Sequence, residues 1–116
     1  MKVKINVEIY SKFVTLLTTY DEYKEFVENA NEDGEFVTAE NNSNYIYVLV
    51  TDKWDDMQCG AFIQCLSHEM NHAAMCILGQ SGVRFDYNNQ EPLCYLQDFL
   101  MRKSIDAISK KLKVTK

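Results

Sequence analysis

His68 and His72, the two histidines of the chain, stand four residues apart, and Glu69 directly follows the first. On a helix, positions i and i+4 share one face a turn apart, so both imidazoles can point at a single metal ion. Glu69 is rotated off that line, where a carboxylate can hydrogen-bond a metal-bound water rather than join the ligands. This His-Glu-x-x-His spacing carries the chemistry of metal-assisted hydrolysis, with glutamate as general base. Zinc is the expected ion, since it accepts imidazole donors and leaves a position open for water.

Two histidines do not hold zinc tightly; a catalytic site takes three protein ligands and a water. With no third histidine, the remaining donors are Glu91, Asp86, Asp98 or a cysteine. Glu91 has the best case. It opens a helix joined by a short loop to the histidine helix, so an αα-hairpin can bring it to a His-His-Glu set. Tyr95 and Asp98 follow at i+4 and i+7 on the same helical face. Tyr95 is then a candidate oxyanion donor, and Asp98 a candidate acceptor for a histidine N–H. The commoner fates of such residues are core packing for Tyr95 and a solvated or capping charge for Asp98.

These residues need a helix to present them. Thr51-Asp52-Lys53-Trp54-Asp55-Asp56 offers cap and first-turn acids for one over roughly residues 55–78, with Gly79 as its stop. Phe62, Leu66, Ala73 and Ile77 form its apolar stripe, and the histidines border that stripe at 100° per residue. Upstream, residues 2–10 alternate polar and apolar as a half-buried strand. Phe13–Thr18 is a second strand or a continuation of the first. Asp21–Ala30 reads as a short amphipathic helix with Tyr23, Phe26, Val27 and Ala30 inward and Asp21 as cap or first-turn acid. Residues 35–40 and 45–50 flank Asn41-Asn42-Ser43-Asn44 as two antiparallel strands. Downstream, residues 79–89 are a loop, and Pro92 marks the first turn of a last helix over about 90–112. The expected architecture is α+β: a small antiparallel or mixed sheet of three to four strands against the metal-bearing helix and a C-terminal helix.

At 116 residues with 47% apolar side chains, the chain suits one domain over residues 1–116. It has no apolar run of about 18 residues, and its N-terminus alternates charge with apolar residues, so neither a membrane span nor a signal peptide is expected. The expected compartment is the cytoplasm. Cys59, Cys65, Cys76 and Cys94 form no Cys-x-x-Cys pair, and three fall within the central helix. They read as small buried hydrophobes, or, for Cys65 and Cys76, as thiols straying toward the metal. The net charge of −5 argues against nucleic acid as a partner. Residues 102–116 carry 6 basic side chains and 1 acidic one, which suits a helix C-terminus in solvent.

The run His68-Glu69-Met70-Asn71-His72-Ala73-Ala74, then Gly82-Val83, Asp86, Asn89 and Glu91-Pro92-Leu93-Cys94-Tyr95-Leu96, resembles a group of very small zincin-like proteins common in bacteriophage genomes. The specific match spans residues 67–96; the N-terminal half matches only as a small sheet preceding the metal helix. The resemblance implies a minimal zincin-like metallopeptidase, with His68, His72 and Glu91 as zinc ligands and Glu69 as base. Cys94 stands where the group more often has alanine.

The expected reaction is attack of metal-activated water on a peptide bond, with Glu69 passing the proton to the leaving amine. The peptide or protein substrate would lie along an edge strand, expected at Tyr45–Val50. Against this stand two rivals: a catalytically inert, zinc-stabilised protein that binds a host or phage partner, and a metal-free helical interaction module.

Overall fold

The computed structural model describes residues 1–27, 36–42, 44–50 and 59–115. They form a mixed four-stranded sheet, in the order β1-β2-β4-β3, with helices on both faces. This is the expected α+β class.

In β1, Lys2–Val7, the lysines point to solvent while Ile5 and Val7 are buried. The alternation stops there. Glu8–Tyr10 coil into a 3-10 turn, and Ser11, at φ 54, reverses the chain with its N–H on Glu8 O at 3.0 Å. The ambiguous apolar run is a strand of its own, β2, Lys12–Leu17, antiparallel to β1. Its Val14, Thr15, Leu16 and Leu17 are all buried, because helices cover both faces of the sheet there.

Helix α1, Tyr20–Phe26, begins with a capping box. Thr19 Oγ1 accepts from Glu22 N at 3.2 Å, and Glu22 Oε1 accepts from Thr19 N at 3.2 Å. Asp21 is a first-turn acid rather than the cap. Tyr23 packs against Leu17, Tyr47 and Leu49 on one face of the sheet, and Phe26 stacks on Tyr47. Ala30 lies outside the described residues.

Strands β3, Phe36–Asn42, and β4, Tyr45–Val50, form the expected antiparallel pair. The expectation that Tyr45–Val50 is an edge is corrected. β4 pairs in parallel with β2 on its other side, so the sheet edges are β1 and β3. Five successive buried residues, Ile46–Val50, are the mark of a central strand.

Helix α2, Cys59–Gln80, buries Phe62, Leu66, Met70, Ala73, Ala74 and Ile77 against the opposite face. The expected cap at Thr51–Asp56 lies outside the described residues. Gly79 is not the stop. It is helical, and the left-handed residue is Gly82, at φ +72. Gly82 N–H bonds to Gly79 O at 3.3 Å and Val83 N–H to Leu78 O at 2.9 Å, a Schellman closure. Helix α3, Glu91–Thr115, follows with Pro92 in its first turn and adds Leu96, Leu100 and Ile108 to the same core. Among the described residues, no helix is long and apolar enough to cross a membrane.

Candidate functional site

The buried stripe of α2 fixes the helix's rotation, and that rotation turns His68 and His72 outward to solvent. The two rings meet nearly edge to face, and their Nε2 atoms lie 3.1 Å apart. With zinc–nitrogen bonds of about 2.05 Å, that separation subtends an angle of about 98° at a shared ion, close to tetrahedral. Without an ion, the same distance is that of one ring donating N–H to the other. The 3.1 Å separation thus suits either a hydrogen bond between the rings or two bonds to one ion.

Glu69 follows the other course. It is only 7% exposed and points at β3, where Thr38 Oγ1 donates to its Oε1 at 2.7 Å and lies 3.0 Å from its backbone oxygen. A hydroxyl has one proton, and the charged acceptor at the shorter distance takes it. The negative charge of Glu69 also reaches α1: burial raises the Tyr23 phenol above its ordinary pKa, and the Glu69 carboxylate and Tyr20 push it further. Thr38 is the residue that sequence reasoning missed. Nothing in a lone threonine on a strand announces that the next helix will set a carboxylate against it.

Asn71, one position before His72, has a buried Oδ1 with no donor among the described residues. A bound water or a substrate N–H would satisfy it.

The remaining expected residues are elsewhere. Asp86 accepts from Asn88 N at 2.9 Å, and its backbone pairs with that of Asn89, so it shapes the loop between α2 and α3. Asn89 Nδ2 donates to Arg84 O within the same loop. Glu91 and Tyr95 line a groove of about 1040 Å³ between the Glu8–Tyr10 turn and α3, and neither histidine belongs to that lining. Asp98 is exposed; Cys65 and Cys76 are half-buried, and Cys94 is exposed. Among the described residues, no three His, Cys, Asp or Glu side chains gather around one point. Of the expected donors, His68 and His72 are therefore side by side, and none of Glu91, Asp86, Asp98 or the described cysteines is brought beside them.

The two helices are nonetheless locked close to the histidines. Gln97 of α3 donates from Nε2 to Ser67 O and Ser67 Oγ, both at 3.2 Å, one residue before His68. Ser104 Oγ lies 3.7 Å from Met70 Sδ in the buried interface. No family model, curated protein or solved structure matches the chain.

Proposed function

We propose that the chain is a zinc-dependent hydrolase of zincin-like kind that cleaves peptide bonds of a peptide or protein substrate in the cytoplasm. One observation carries this reading: the exposed His68 and His72 present their Nε2 atoms 3.1 Å apart, at the bite of a single ion. A divalent ion held there supplies Lewis acidity and an acidified water. Glu69 is the base. Thr38 holds its Oε1, which leaves Oε2 to take a proton from the attacking water and return it to the leaving amine. We assign the third donor to Glu91, whose carboxylate would have to turn from the groove toward the histidines at the start of the helix that Gln97 ties to Ser67.

A second reading, an inert metal-tied binding protein, is favoured by the position of Glu91 and Tyr95 on the groove rather than beside the histidines. Metal content separates the two. Wild type purified without an affinity tag should carry about one zinc per chain, and His68→Ala should carry almost none. Glu91→Ala should lose most of the metal if the third donor is assigned correctly. Glu69→Gln should keep the zinc and lose peptide hydrolysis. An inert site would show zinc without hydrolysis in the wild type, and absence of zinc at excess metal would refute both readings.

A further inference from the structure

The outward face of α2 differs from the other exposed surfaces of the chain. Charged residues make up 25% of the sequence, yet Cys59–Gln80 contains only one, Glu69, and that carboxylate is turned inward onto Thr38. Around the histidines α2 shows Ala61, Gln64 and Gly79 to solvent, with Met75 half-buried beside them. Helix α3, also open on its outer side, exposes Asp98, Arg102, Lys103, Asp106 and Lys110. A helix face kept in water ordinarily carries such charges, and depletion of them marks a surface that another protein covers. At 100° per residue, Ala61, Gln64, His68, His72, Met75 and Gly79 fall within one stripe about 80° wide. The histidines stand at its middle, and its ends are the two smallest residues.

The donor count says what covers this face, on the reading that His68 and His72 hold one zinc ion. Glu91 lies on the groove, so the exposed pair offers two of the four donors that zinc takes. A second copy, related by a twofold axis through the ion, brings two more of the same kind. Such an axis requires a surface to fit itself, and a face without charge does so with no like charges opposed. With about 98° at the ion within each copy, the angles between copies are about 115°, so the four nitrogens form a near-tetrahedral set. We propose that the outer face of α2 seats a second copy of this chain, with His68 and His72 of both copies sharing one zinc ion. Four histidines leave no position for water, so the paired form is closed to hydrolysis. The open form is the single chain with its own ion and Glu91.

Titration of the chelator-treated protein with zinc tests this, with mass by analytical ultracentrifugation and bound metal measured on the same samples. Without zinc the chain should sediment at 13.5 kDa. At about half an equivalent it should bind the metal and double in mass, and X-ray absorption should count about four imidazoles on the zinc. In severalfold excess of zinc the pairs should separate into single chains carrying an ion each. Zinc bound at half an equivalent by a chain that stays single would overturn the proposal and leave the two-histidine reading standing. No zinc bound at any concentration would overturn both. A double-mass species that survives the chelator, or that forms in His72→Ala, would also overturn the proposal, because the copies would then meet elsewhere.

Discussion

Thr38→Val removes one oxygen from the interface between β3 and α2 and almost no volume. The hydroxyl it deletes donates at 2.7 Å to a carboxylate that is only 7% exposed. A hydrogen bond to a charged group contributes about 1.5–3 kcal/mol, and a buried acceptor left unpaired costs a similar amount. The added methyl in a half-buried position offsets a few tenths of this, so a net loss of about 1.5–2 kcal/mol is expected. For 116 residues the unfolding entropy is about 0.24 kcal/mol/K, which converts that loss to a fall in Tm of about 6–8 °C. Thermal and urea melts by circular dichroism would measure it. In a Glu69→Gln background the acceptor is a neutral amide, and the cost of Thr38→Val should drop to about half. The double-mutant cycle should therefore show about 1 kcal/mol of coupling. A Thr38→Val protein within 0.5 kcal/mol of wild type, or a cycle with no coupling, would refute the bond that is argued to hold the base.

Two more perturbations test the frame around the site. Leu100 is fully buried where α3 meets the sheet core, so Leu100→Ala should cost about 2–5 kcal/mol in urea denaturation, the spread depending on how far the cavity collapses. Glu22 is a pH test. Burial works to raise its carboxyl, but donors from the Met1 amino group and Thr19 outweigh burial and hold it below its ordinary value. With the folded pKa below the unfolded one, its contribution is complete above about pH 4.3 and is lost as pH falls through the folded value. Stability curves from pH 7 to pH 3 should therefore fall less steeply at the acid end in Glu22→Gln.

The histidine pair was legible because its information is local. Helical spacing alone set His68 and His72 on one face, and the stripe of Phe62, Leu66, Ala73 and Ile77 told which way that face turned. The groups that meet across elements were not legible. Thr38 reaches Glu69 only because β3 and not β4 is the edge, and that follows from the parallel pairing of β2 with β4, which no short-range pattern encodes. The helix end was misplaced for a different reason: α2 runs through Gly79, and the residue that needed a positive φ was Gly82. Glu91 was placed correctly on the first turn of α3, but spacing in sequence does not set the direction of a carboxylate at a helix start.

The parallel seam has a kinetic meaning as well. β1 with β2, and β3 with β4, are hairpins whose strands find each other by closing short loops. The seam joins Phe13 to Tyr45 and Leu17 to Leu49, and it can zip only after the intervening chain has been gathered in. The molecule is therefore two locally encoded halves committed to one another along a single line of backbone bonds. Thr38, Glu69 and both histidines lie on the later half. The seam is closed over by one shared core, in which Ile5, Val14 and Leu16 of the first half pack with Leu66, Met70 and Ala73 of the second, so loosening the first hairpin loosens the helix that carries the histidines.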